Sequence, residues 1–242
     1  MNIIGIMVRH YLAIAILLIM ALGPLGASSA MADVTDNTRE SSPLLPDWSF
    51  WPTDDDKAPN RTVSGASRGS CSSEQVTPLL PGSQYGLTTQ THPEILFATS
   101  VETPRQGLFV IQSTQSDSYY YETYIELPAT PGIISIALPS DAPALATNDL
   151  YQWSLILMCN DRLRPDSPAL QGWIQTQPAA SNTNVSLEQA IEYREAHVWY
   201  DMVSLLADLR TQHPNNPEIR QAWQRLLDGI DLTTMADTPI IE

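Results

Sequence analysis

Lysine is almost missing from this 242-residue sequence. Lys57 is the only one, and the other eleven of the twelve basic residues are arginine, set against 27 acids. Contact with phosphate backbones needs clustered Lys and Arg, so a net charge of −15 repels nucleic acid and anionic membrane surfaces. Metal ligands are equally sparse. Four histidines occur, and His92, His197 and His213 show neither i,i+4 nor H-E-x-x-H spacing, which disfavours a zinc site. Asp54-Asp55-Asp56 lacks the spaced oxygens, the turn glycine and the terminal Glu of an EF-hand, and is read as a solvated loop. No cofactor motif is present, so neither cofactor nor metal is expected.

A membrane-length apolar run is also lacking. The run from Tyr11 to Leu22 falls short of the roughly 20 residues that span hydrocarbon. It follows Arg9, within a stretch to Ala32 free of Asp and Glu, and leads through Gly23-Pro24 to Ala30-Met31-Ala32. A short positive region, an apolar core and an A-x-A site are the parts of a secretory signal peptide over residues 1–32, with an uncleaved membrane anchor as the alternative. The mature chain is therefore expected outside the cytoplasm, in the periplasm or secreted. It would carry 11 bases against 27 acids, a net −16.

Only two cysteines occur, Cys71 and Cys159. In an oxidising compartment an even count predicts a disulfide between them; the alternative is two buried thiols. Closing an 88-residue separation (159 − 71) would stabilise the fold by about 4–5 kcal/mol on a chain-entropy account.

Residues 33–60 are rich in Ser, Thr, Asp and Pro without apolar periodicity, and are read as a disordered leader. Trp48, Phe50 and Trp51 interrupt it as a possible aromatic clamp. Residues 61–178 then carry short apolar or alternating segments between Pro and Gly turns. In Tyr119–Leu127 the odd positions (Tyr119, Tyr121, Thr123, Ile125, Leu127) share one face, and Tyr120, Glu122, Tyr124 and Glu126 share the other. In Tyr151–Cys159, Tyr151, Trp153, Leu155, Leu157 and Cys159 share a face. Weaker strands are expected at Ile95–Thr99, Leu108–Gln112, Ile133–Leu138 and Gly172–Thr176. Six or seven short strands without intervening helices predict an antiparallel β-sandwich or barrel rather than an α/β sheet. The run from Leu145 to Tyr151 resembles the corner of an immunoglobulin/fibronectin-like sandwich, where a tyrosine hydroxyl bonds back to an upstream loop.

Helical spacing replaces alternation in residues 186–232. Ser186-Leu187-Glu188-Gln189 reads as a capping box. Leu187, Ile191, Val198, Met202, Leu205 and Leu209 follow as a stripe that Pro214 stops. Asn216-Pro217 starts a second helix with Ile219, Trp223, Leu226 and Ile230 on one side. The expectation is a mainly β fold with an α appendage, a C-terminal αα-hairpin, and a flexible tail over 233–242. The aromatics Tyr193, Trp199, Tyr200 and Trp223 are read first as core, with a groove for a partner helix or peptide as the alternative.

One catalytic motif matches formally. Gly65-Ala66-Ser67-Arg68-Gly69 fits G-x-S-x-G, but a serine nucleophile needs a strand before it and a helix after it. A Pro- and Asp-rich leader precedes Ser67, and Ser70-Cys71-Ser72-Ser73 follows. The segment is better read as a turn delivering Cys71 to a disulfide.

The Gly65–Cys71 segment, Leu127-Pro128 with Pro131–Ser135, Leu138-Pro139, Tyr151-Gln152-Trp153, Gly172-Trp173-Ile174, Trp199-Tyr200-Asp201 and Trp223–Leu227 occur in an order that resembles the cyanobacterial domain-of-unknown-function family numbered 928. The resemblance covers Arg61 to about Leu232 and implies an exported protein of a cyanobacterial envelope. It transfers no activity and no site residues. The family has Gly shortly before its Trp-Tyr-Asp element, where this chain has Ala196-His197. The functional expectation is a non-catalytic envelope binding or scaffolding module, not an enzyme, with a partner protein or peptide at the helical hairpin. The alternative is an extracytoplasmic hydrolase using Ser67 or a carboxylate pair.

Overall fold

The structure is a computed structural model that describes residues 75–103, 105–115, 119–158, 160, 162–178 and 184–241. The signal peptide, the leader with its aromatic cluster, Asp54–Asp56, Ser67, Cys71 and Cys159 lie outside these residues.

Two sheets build the β part. One holds β1 (Val76–Pro78), β3 (Glu94–Thr99), β6 (Gly132–Ala137) and β9 (Ile240–Ile241), in that order. The other runs β2 (Tyr85–Thr88), β8 (Ala169–Thr176), β7 (Leu150–Leu157), β4 (Arg105–Ser113) and β5 (Tyr120–Leu127). Strand β7 buries Tyr151, Trp153, Leu155 and Leu157 and leaves the residues between them half-buried, as its period of two predicts. Register places Ile111 and Gly172 on either side of Trp153, and Phe109 beside Leu155. From the other sheet Phe97 meets the Trp153 ring edge-on, with centroids 5.5 Å apart. The Tyr151 hydroxyl accepts from the Ala146 N–H at 2.8 Å, so the bond back to the upstream loop is present.

The sheets are mixed, which corrects the antiparallel expectation. Strand β2 runs parallel to β8, and β9 parallel to β6. Alternation within a strand carries no information on the direction of its neighbour, and only short hairpins force antiparallel pairing. Both parallel pairs join segments far apart in sequence. After β1 the chain turns at Pro81–Gln84, where the Gln84 N–H donates to the Pro81 carbonyl and Gln84 takes φ 57°, before entering the second sheet.

Three helices follow: α1 (Leu187–Glu195), α2 (Trp199–Gln212) and α3 (Pro217–Asp228). Ser186 caps α1 by accepting from the Gln189 N–H at 3.2 Å. The reciprocal half of a capping box is not made, because Gln189 is buried and its Oε1 has no partner. Asn216 caps α3 through Oδ1, which accepts from the Glu218 and Ile219 amides. The apolar stripe expected as one helix from Leu187 to Leu209 is broken at 196–198. His197 adopts φ 60° there. The Val198 N–H donates to the Tyr193 carbonyl at 2.8 Å, and the His197 N–H to that of Arg194 at 3.1 Å. This is the bonding of a Schellman stop, with histidine where glycine is usual. The residues expected as a tail carry a 3₁₀ turn at Thr233–Met235 and then β9.

Candidate functional site

Three of the distinctive sequence pieces meet at one seam between helix and sheet. The Trp153 indole N–H donates to the Tyr200 hydroxyl at 2.8 Å, and that hydroxyl donates to the Trp173 carbonyl at 3.0 Å. The Trp199 indole N–H donates to the Leu79 carbonyl at 2.9 Å. Glycines make the approach possible. A Cβ on Gly172 would lie 2.4 Å from Trp153 Cζ2, and one on Gly86 would lie 2.9 Å from both Trp199 Cβ and Tyr200 Cε2. Complete burial pushes the Tyr200 phenol well above its ordinary value, so it stays a neutral hydroxyl that both accepts and donates.

Asp201 anchors the first turn of α2 to the end of β2. Its carboxylate accepts from the Thr88 hydroxyl at 2.5 Å, from the Thr89 N–H at 3.0 Å and from the Thr89 hydroxyl. Burial pushes its pKa above the ordinary range, while the hydrogen bonds from Thr88, Thr89 and Gln90 pull it down. Trp153, Trp199, Tyr200 and Asp201 are all buried, so a substrate has no access to this network. The seam fastens the helices to the sheets.

The aromatic helix row follows the same logic. Tyr193, Trp199, Tyr200 and Trp223 are buried in the core, so their side chains offer no partner groove along the helices. Nor do the histidines converge on a site. His92 precedes β3 with Nε2 3.0 Å from the Ala142 carbonyl oxygen, His197 sits at the helix break, and His213 ends α2. Among the described residues no three His, Cys, Asp or Glu side chains are grouped to hold a metal ion. No described helix is long and apolar enough to cross a membrane.

The accessible feature is the open side between the two sheets. Strand β5 is the last strand of its sheet and has β4 as its sheet neighbour. Facing it, β9 covers β6 only at Ile133 and Ile134. Between them lies a groove of about 460 Å³, lined on one side by Tyr121, Thr123 and Ile125 and on the other by Ile134, Ile136 and Pro139. On the outward face of β5, Tyr120 and Tyr124 are 56% and 64% exposed and alternate with exposed Glu122 and Glu126. The Tyr/Glu alternation marks a half-buried strand in the sequence, but it does not reveal that this strand ends a sheet. A second cavity of about 510 Å³ is lined by Arg210, Arg220 and Asp237 near the end of α2.

Among the described residues, fold and site together define a mainly β protein of two mixed sheets with three helices, with an open groove of mixed lining to which Thr123, Glu126 and Ser135 contribute beside the isoleucines. The family described as Domain of Unknown Function (DUF928) matches residues 63–240, and the chain belongs to it. No curated protein matches the chain. Among solved structures, a family 76 glycoside hydrolase from a bovine Bacteroides thetaiotaomicron strain is similar at 13% identity and a TM-score of 0.26. The likeness covers 67% of this chain and 38% of that one, well under half the enzyme's length. A likeness this weak carries no argument about fold or activity.

Proposed function

We propose that the chain is an exported, non-catalytic module that binds another envelope component in the groove between β5 and β6. The observation that carries this reading is that groove, flanked on the outer face of β5 by two tyrosines more than half exposed. A concave groove with apolar and polar groups converging on it, beside exposed aromatic side chains, is the kind of surface at which binding sites form. The acid-free N-terminal stretch ending at Ala32 supports export. The scaffold is an immunoglobulin/fibronectin-like sandwich followed by a helical hairpin of α2 and α3. Support comes from the strand orders β1-β3-β6 and β8-β7-β4-β5 and from the Tyr151 corner.

The test is affinity purification of the mature protein from its native envelope, alongside Thr123→Arg. Arg at that half-buried position projects a charged chain into the groove, and circular dichroism checks that the fold survives. A stoichiometric partner captured by the wild type and lost by a folded Thr123→Arg supports the module. Equal capture by both moves the site elsewhere. Substrate turnover abolished by Ser67→Ala would replace the module with a hydrolase.

A further inference from the structure

We propose that the groove's occupant is an extended segment of a partner protein, added as a strand to β5, with Lys or Arg on its outward side and apolar residues on its inward side. The inference rests on the binding-module reading and goes further by fixing the chemistry of the partner.

The backbone comes first. Along the eight residues of β5, every second residue directs its N–H and C=O away from β4. An edge strand of this length is a template for another strand, and main-chain pairing supplies affinity in that mode of recognition. The sheet period then dictates the pattern of the incoming segment. Its inward residues would stand beside Tyr121, Thr123 and Ile125 and project into the groove toward Ile134 and Ile136, where apolar side chains pack on the isoleucines. Its outward residues would stand beside Tyr120, Glu122, Tyr124 and Glu126. Glu122 already accepts from the Tyr120 hydroxyl, and Glu126 accepts from Gln106 Nε2 at 2.7 Å and also reaches the groove. The two carboxylates lie four residues apart, about 13 Å along the strand. Basic residues at matching spacing meet both, and their aliphatic stems and cationic heads pack on the exposed tyrosine rings.

Charge selects this occupant over a second copy of the chain. Each copy carries a net −15, so two copies repel, whereas a basic segment is drawn in. Two-fold antiparallel pairing of β5 with itself sets Glu opposite Glu when centred on Glu122, Tyr124 or Glu126, whereas centring on Tyr121, Thr123 or Ile125 avoids this. Acids on an edge strand also guard against unselective pairing. The same pair of carboxylates therefore disfavours half of the self-pairing registers and favours a strand of opposite sign.

The experiment titrates the mature chain with dye-labelled synthetic peptides matched to the length of β5. One alternates Lys or Thr outward with Val inward, one replaces Lys by Glu, and one keeps the first composition but scrambles the alternation. Fluorescence anisotropy should show the basic alternating peptide binding at least about tenfold more tightly than either control, with affinity falling as salt rises. Glu122→Gln with Glu126→Gln should remove most of that preference while leaving the far-ultraviolet spectrum unchanged. If the acidic and basic peptides bind equally and both are lost with Thr123→Arg, the groove reading stands and the charge proposal is overturned. If no peptide binds, or if sedimentation shows the chain pairing with itself through β5, the partner-strand proposal is overturned. The envelope capture above decides the binding-module reading separately.

Discussion

Gly172 sits under the Trp153 ring with no room for a methyl group, since a Cβ there would come within 2.7 Å of Trp153 and Leu80 side-chain atoms. Gly172→Ala must therefore displace a fully buried indole, and a loss of about 1–3 kcal/mol in urea unfolding is expected. The requirement is not legible from the sequence, because it depends on the register that sets Gly172 across from Trp153. His197 poses the opposite problem. A non-glycine residue held at φ 60° bears a penalty of about 1–2 kcal/mol, which a β-branched side chain would increase. Stability should rank His197→Gly above wild type and wild type above His197→Val. Reversal of that order would mean that contacts of the imidazole outweigh the backbone term. Asp201 brings a pH dependence. Burial raises its folded pKa above the ordinary 3.8, so between that value and the raised one the unfolded chain releases a proton that the folded chain keeps. Its contribution to stability falls as pH rises through that window. Comparing the urea midpoint of wild type and Asp201→Asn across it should show a downward slope for wild type and a flatter one for the variant.

At the scale of elements, legibility followed length and periodicity. Strands β5 and β7 show their alternation in eight residues each, and both faces emerged as the sequence indicated. Strands β1, β2 and β9, with two to four residues, carry too little pattern to be read and form because neighbouring strands offer them partners. The helix break was hidden for a different reason. Val198 and Met202 bury themselves whether or not α1 and α2 are continuous, so the stripe runs through the interruption. The C-terminal strand illustrates what such a short element does. Ile241 and the Pro239 carbonyl pack over Gly132, the Ile133 N–H donates to that carbonyl, and β9 covers part of the β6 edge. Truncation after Asp237 should remove about 1–3 kcal/mol, as expected for half-buried isoleucines. It should also raise light scattering on heating, because the β6 edge is laid bare.

For the molecule as a whole, acidity and aromatic placement decide what the sequence can disclose. The aromatic residues of the Tyr151-Gln152-Trp153 and Trp199-Tyr200-Asp201 segments serve the interior: Trp153, Trp199 and Tyr200 lock helix to sheet. Tyr120 and Tyr124, in a strand whose alternation the sequence displays, face outward at an edge that only the assembled topology reveals. Net charge governs how far that edge is protected in solution. At neutral pH an excess of 15 acids keeps copies apart, whereas near the isoelectric point of about 4.4 this repulsion vanishes. Self-association measured by sedimentation velocity should therefore rise as pH falls from 7 toward 4.4. Glu122→Gln with Glu126→Gln should move its onset to higher pH if the β5 edge is the contact. An onset unchanged by the double substitution would place that contact elsewhere and leave the two carboxylates without a protective role.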